Sequence, residues 1–304
     1  MIYFISNCTN SKKLTPSNDL LLKNYSFKNI DKSINEWEEN KKKSINTKAI
    51  AKELYKGHSW QEILKSVNIL SQLSKTKMLI SSAGYGLIDS DKKIISYQVT
   101  FSKGSENSVH NFKNNSILNP TIKWWDKINT FDITTLEKDA YIFISVSYQY
   151  LIAMQNTIKQ LIELYNKNVF IIVLSKDKLP ENYNKNILRF DTRFNSFDKG
   201  TISSIIPRFS KWLFKEILEN NLELNNQQLQ KHIDNFLSKF SEYKIEERTN
   251  LSDEDILKVI IKQIKIKSIT SKSRGLKDLR SEGYACSQER YGRIYTEIKG
   301  KHHG

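Results

Sequence analysis

Residues 140–174 place the strongest constraint on the fold. Residues 140–146 read AYIFISV and residues 169–174 read VFIIVL. Both runs are short and almost wholly apolar, as strands covered on both faces are. Between them, residues 151–165 carry a helical pattern. Strand, helix, strand in this order is a βαβ unit with a right-handed crossover, which commits the chain to a parallel sheet with helices packed on it. Residues 2–5 add a short buried strand, residues 187–190 a last one, and an apolar run from residue 78 another. The expected architecture is α/β, a mostly parallel central sheet flanked by helices over residues 1–240. A small all-helical domain, helix-turn-helix or winged-helix-like, follows over residues 250–304.

In such sheets ligands bind beyond the carboxyl ends of the strands. Residues 78–101, MLISSAGYGLIDSDKKIISYQVTF, carry a strand into a loop with Gly84 and Gly86, then offer Asp89, Asp91 and Tyr97. The first strand ends in Asn7-Cys8-Thr9-Asn10-Ser11-Lys12-Lys13, small polar groups and two lysines suited to an anion. Cys8 also reads as a small buried hydrophobe. Ser147 and Tyr148 follow residues 140–146 and should share a rim with Asn7 and Tyr85. Asp191 and Arg193 lie just after the last strand.

The remaining segments read as connections and cover. Residues 16–43 are irregular, with a helix or two at the surface. A helical stretch from Ala49 breaks at Gly57, and Ser59 caps the next helix with Glu62 as its capping-box partner. Residues 102–119 form a loop containing His110, read as structural. Trp124 and Trp125 read as core. Two further helices cover residues 202–219 and 222–240, and the charged stretch 241–249 marks a domain boundary.

Past that boundary Ser252 caps a helix with Asp253, Glu254 and Asp255 in its first turn, matching the helix dipole. Two shorter helices joined near Gly283 have the outline of a helix-turn-helix. Residues 256–304 hold 12 lysines and arginines against 4 acids, a surplus of +8. Arg274, Lys277, Arg280, Arg290 and Arg293 would meet phosphates, with the last helix in a groove. The alternative is a basic helical hairpin packed on the body.

Charge points the same way. Forty-eight lysines and arginines against 33 acids leave +15, and phosphate neutralisation dominates affinity for nucleic acid. The only cysteines are Cys8 and Cys286, which excludes a disulfide framework and a cysteine-pair metal site. Residues 1–8 are too short an apolar run, without a basic start, for a secretion signal. No run approaches the roughly 18–20 apolar residues of a membrane span. The expectation is a cytoplasmic protein with no membrane segment, metal or cofactor.

The first hundred residues resemble a bacterial family that shares S-C-x-x-x-K after a strand, A-x-x-L-Y-x-G, and S-A-x-Y-G-L with a downstream tyrosine. Here these read NCTNSK at residues 7–12, AKELYKG at 51–57 and SAGYGL at 82–87, with Tyr97. Such domains resemble uracil-DNA-glycosylase-like and archaeosine-transglycosylase-associated domains found in anti-phage contexts. Residues 276–298 resemble a helix-turn-helix or winged-helix DNA reader of such defence proteins.

The resemblance and the residues together imply a monofunctional DNA glycosylase that flips a modified or unusual base and hydrolyses its N-glycosidic bond. Asp89 is the candidate carboxylate, with Asp91 as deputy and Asp191 as a further candidate. Tyr85, Tyr97 and Tyr148 would face the base, and Asn7, Ser81 and Ser82 would bond its edge. Cys8, Gly86 and Ser147 complete the wall, while Lys12 and Lys13 hold phosphates. Two other readings stand beside it: a non-enzymatic DNA-binding or sensor protein, and a nucleotide or nucleoside hydrolase or transferase.

Overall fold

The computed structural model describes residues 1–112, 119–179, 181–242, 248–266, 268 and 271–301. They fall into two compact units, Met1–Tyr243 and Lys244–Gly304. The division lies inside the expected boundary stretch, of which residues 243–247 are outside the described residues. So are residues 113–118 of the loop expected at 102–119.

The first unit runs β1 (Ile2–Asn7), α1 (Ile30–Lys43), β2 (Lys48–Ile50), α2 (Ala51–Leu54), α3 (His58–Leu73), β3 (Thr76–Ser82), β4 (Gly86–Asp89) and β5 (Lys93–Ile95). It continues through α4 (Pro120–Ile128), β6 (Tyr141–Ser145), α5 (Tyr148–Ala153), α6 (Gln155–Tyr165), β7 (Val169–Leu174), β8 (Ile187–Phe190), α7 (Phe194–Phe197), α8 (Ile205–Glu219) and α9 (Asn226–Leu237). The central sheet has the order β4-β3-β1-β6-β7-β8. Every neighbouring pair is parallel except β3 with β4, an antiparallel hairpin at one edge. Taken alone, the parallel strands have the order 2-1-3-4-5. The connections after β1 therefore diverge, first to β3 on one side and then to β6 on the other. That places the topological switch point between β1 and β6, the place beyond the carboxyl ends of the strands where open α/β sheets bind ligands.

Packing follows from the apolar runs. All six residues of β7 are buried. Phe4 and Phe143 meet Phe214 of α8 edge-on, with ring centroids 5.4 and 5.0 Å apart, so α8 covers one face. Helix α3 is joined to α8 through Glu62, whose carboxylate takes Lys211 and, at 2.8 Å, Lys65. This displaces the expected capping box. Gly57, with φ +106°, starts α3 at His58, Ser59 falls within the first turn, and the ion pairs with Lys211 of α8 and with Lys65 one turn on claim the Glu62 carboxylate. In a second helix layer Trp125 of α4 donates to Thr157 of α6 at 2.9 Å. The helix expected over 151–165 is two helices, because the chain turns at Met154. That residue is fully buried, with Ser81 Oγ 3.4 Å from its sulfur.

The outer edge of the sheet is closed by a side chain. Gln230 of α9 accepts from the Arg189 N–H (2.7 Å) and donates to the Arg189 carbonyl (3.0 Å), taking the place of a further strand along β8.

The second unit comprises β9 (Thr249–Asn250), α10 (Asp253–Lys265), α11 (Lys272–Ser281), β10 (Tyr284–Ala285) and α12 (Gln288–Lys301). The two short strands pair in parallel, and Ile256, Ile260, Leu279, Tyr291, Ile294 and Tyr295 form the core. Gln263 ties the three helices, receiving the Tyr291 hydroxyl at 2.6 Å and donating to the Gly275 carbonyl at 2.8 Å. Among the described residues no helix is long and apolar enough to cross a membrane.

Candidate functional site

The carboxyl ends of β1, β3 and β6 lie side by side, and the residues following them interlock. Asn7 Oδ1 accepts from the Ser147 N–H at 2.9 Å, bridging the switch point, and the Cys8 N–H donates to the Ser81 carbonyl at 2.9 Å. After β3 the chain reverses within residues 82–86. Two indoles hold that turn: Trp124 donates to the Ala83 carbonyl at 2.8 Å and Trp37 to the Gly84 carbonyl at 3.0 Å. A methyl group on Gly84 would stand 2.6 Å from the Tyr97 ring. At Gly86, with φ +72°, it would stand 2.5 Å from the Asn129 backbone. Both positions therefore demand glycine.

Beneath this turn lies a buried network. Tyr97 is fully buried, and its hydroxyl meets Ser82 Oγ at 2.6 Å, the Tyr55 hydroxyl at 3.0 Å and Cys8 Sγ at 3.4 Å. Tyr150 approaches the same sulfur at 3.1 Å. Burial pushes all three phenols well above their ordinary range, so they remain neutral hydrogen-bonding groups. The Lys12 ammonium sits 4.2 Å from the centre of the Tyr97 ring and 5.6 Å from that of Tyr55. Burial lowers Lys12 to about 8, partly offset by attraction to Cys8. Its loop is pinned by a bridge to Tyr55 and by the Lys13 N–H on the Leu54 carbonyl at 2.8 Å.

The outer wall is half-buried. It includes Asn7, Tyr85, Ser147, Tyr148, Gln149 and His110, with His110 3.2 Å from Gln149 Oε1. The Tyr148 hydroxyl donates to the Lys178 carbonyl at 3.2 Å. Tyr85 is pushed up to about 12 by burial; its ring lies 5.4 Å from that of Tyr97 and under the Lys41 ammonium at 4.5 Å. Lys41 pairs with Glu38 at 2.7 Å.

Asn7, Cys8, Lys12, Ser81, Ser82, Tyr85, Gly86, Tyr97, Ser147 and Tyr148 are thus brought to the ends of adjoining strands. Lys13 is exposed beside Lys12. The acids stand apart. Asp89 lies opposite Leu79 in the β3–β4 hairpin, three residues back from Ser82 and so about 10 Å below the rim. It accepts the Asp91 N–H at 2.8 Å, and Asp91 pairs with exposed Lys52 at 2.6 Å. The carboxylate beside the turn is instead Glu38 of α1, within a segment read from sequence as irregular. Tyr55 and Tyr150 were also not singled out, although Tyr55 stands inside the A-x-x-L-Y-x-G pattern.

Along the β8 edge of the sheet, against α9, a cleft of about 600 Å³ is lined by Ser175, Arg189, Asp191, Arg193, Gln230 and Asp234 among others. Burial opposes ionisation of Asp191, but the bidentate Arg193 guanidinium and a backbone N–H outweigh it and hold the carboxyl below its usual range.

In the second unit Arg274 and Lys277 of α11 are exposed, with no side-chain hydrogen bond or ion pair among the described residues. The other three arginines are engaged. Arg280 donates to the Cys286 carbonyl at 2.8 Å, and Arg290 and Arg293 hold the two Asp253 oxygens at 2.5 and 2.6 Å. Both arginines draw the Asp253 carboxyl below its usual range, Arg293 most strongly. Among the described residues no three His, Cys, Asp or Glu side chains gather as a metal site. No protein-family model, curated protein or solved structure matches this chain.

Proposed function

We propose that this protein binds DNA and cleaves the N-glycosidic bond of a modified or unusual base turned toward the switch point between β1 and β6, acting in the cytoplasm on phage DNA. One observation carries the reading. Asn7, Cys8, Lys12, Ser82, Tyr85, Tyr97 and Ser147, selected from three separate sequence segments, converge at a topological switch point. A flipped base needs an aromatic face and polar groups for its edge. Tyr85 and Tyr148 supply faces, Gln149 supplies an amide, and Asn7, whose amide is held by the Ser147 N–H and the Cys8 carbonyl, braces the wall with the buried hydroxyl and thiol network behind it.

The second unit would deliver DNA as a helix-turn-helix module formed by α11 and α12. Because Asp253 already holds Arg290 and Arg293, binding of phosphates falls first to Arg274 and Lys277. Neutralising either cation should flatten the dependence of log K on log salt by about 0.9.

The local engagement of Asp89 and Asp91 away from the rim favours a second reading, a DNA-binding sensor without hydrolysis. Base-release assays separate the two. The protein is incubated with normal DNA and with DNA bearing phage-type modified bases, then assayed for free bases by mass spectrometry and for alkali-sensitive abasic sites. Glycosylase activity predicts release from at least one modified substrate. Tight, salt-sensitive binding with no release from any substrate would establish the sensor instead.

A further inference from the structure

We propose that Lys12 is the nucleophile of the site, attacking C1′ of the deoxyribose through its free amine and forming an imine with the DNA; this rests on the glycosylase reading above. The position of Lys12 distinguishes it among the lysines. Lys41, Lys123 and Lys211 are comparably enclosed, with side-chain exposures of 10, 27 and 31 %, and each is paired with a carboxylate: Glu38, Asp31 and Glu62. Lys12 has no carboxylate partner among the described residues. Its ammonium reaches the carbonyls of Thr9 and Asn10, at 3.4 and 3.5 Å, and the rings of Tyr97 and Tyr55.

Burial disfavours the charged form of this lysine more than its ring contacts and its attraction to Cys8 favour it, and the pinned loop keeps its amine at the strand end. With a value of about 8, Lys12 holds a larger share of free amine near neutral pH than an ordinary lysine does. The acids Asp89 and Asp91 are not needed for this route. The groups facing the amine are the neutral phenols of Tyr55 and Tyr97, the Cys8 thiol and the two backbone carbonyls.

The chemistry balances without a co-reactant other than water. The amine lone pair forms the C1′–N bond as the glycosidic bond breaks, its electron pair leaving with the base, which gains a proton while the nitrogen loses one. The remaining lone pair on the lysine nitrogen then makes C=N as C1′–O4′ breaks and O4′ takes a proton. Water adds to the imine and releases the amine and an aldehyde.

A preformed abasic site tests this step without knowledge of the base. The full chain is incubated with an oligonucleotide carrying one abasic site, and sodium cyanoborohydride reduces any imine to a stable amine. Peptide mapping by mass spectrometry locates the crosslink. The expected result is a crosslink on Lys12, abolished in Lys12→Arg and Lys12→Met, with a yield that rises as pH increases toward 8. Unchanged tryptophan fluorescence and unfolding midpoint in Lys12→Arg show that the fold is retained.

Crosslinks absent from wild type, or scattered over other lysines and unchanged in Lys12→Arg, would overturn the proposal. Base release by Lys12→Met at the wild-type rate would also overturn it and leave the glycosylase reading intact. Absence of base release from every modified substrate would remove the glycosylase reading, and with it this role for Lys12.

Discussion

Gly84→Ala tests the packing of the site wall directly. The added methyl carbon would lie 2.6 and 2.7 Å from Tyr97 Cδ2 and Cε2 and 3.1 Å from Cγ, well inside the 3.5–4.0 Å optimum for carbon atoms. Tyr97 is poorly placed to yield. It is fully buried, its hydroxyl is bonded to Ser82 and Tyr55, and Trp37 and Tyr85 flank its ring at 6.2 and 5.4 Å. The turn cannot retreat freely either, because the Trp37 and Trp124 indoles hold the Gly84 and Ala83 carbonyls. Gly84 is not in the left-handed region, so the cost is steric. Overpacking of this kind typically costs about 1–3 kcal/mol. For a unit of this size that lowers the melting temperature by roughly 2–12 °C.

The chain reports on itself, because Trp37, Trp60, Trp124, Trp125 and Trp212 all belong to the first unit. Tryptophan fluorescence in urea therefore follows that unit alone. Replacing Tyr97 by Leu in the same chain should recover part of the loss. A midpoint for Gly84→Ala equal to that of wild type would refute the packing, as would a Gly84→Ala, Tyr97→Leu double variant whose two costs simply add.

Three other perturbations follow from the geometry. Tyr97→Phe removes the oxygen shared by Ser82, Tyr55 and Cys8 and should cost about 1–3 kcal/mol by urea titration; it should also couple to Tyr55→Phe in a double-mutant cycle. Lys12 binds its proton more weakly folded than unfolded. Stability relative to Lys12→Met should therefore be flat below pH 8 and rise between pH 8 and about 10, where only the unfolded chain keeps the proton; a difference that stays constant or falls over that window contradicts the burial of the amine. Gln230→Ala opens the Arg189 N–H and carbonyl on β8 and should produce concentration-dependent association in sedimentation velocity that wild type lacks.

Much of this protein was legible in its sequence, and for identifiable reasons. Residues 140–146 and 169–174 are near-continuous apolar runs because parallel strands are covered on both faces, so the βαβ unit could be read directly. The same holds for the rim: residues at strand ends in a parallel sheet share one side, which brought Asn7, Ser82 and Ser147 together. The tryptophan pair read as core is core, with Trp124 and Trp125 both fully buried.

Other features depended on partners distant in the chain. Nothing local marks Trp37, Glu38 and Lys41 as the support for a turn more than forty residues away, since their segment is polar and its pattern irregular. Glu62 has the spacing of a capping box, but burial beside Lys211 gives its carboxylate a stronger claim. Asp89 follows a glycine-bearing strand end in sequence, yet the turn at residues 82–86 sends β4 back along β3 and carries Asp89 away from the rim. The apolar periodicity and the small residues after each strand determined the sheet and the side on which a site would form. Tertiary structure alone decided which side chains meet there, because the network of Cys8, Tyr55, Ser82, Tyr97 and Tyr150 joins positions up to 142 residues apart through burial and hydrogen bonding, which leave no local pattern.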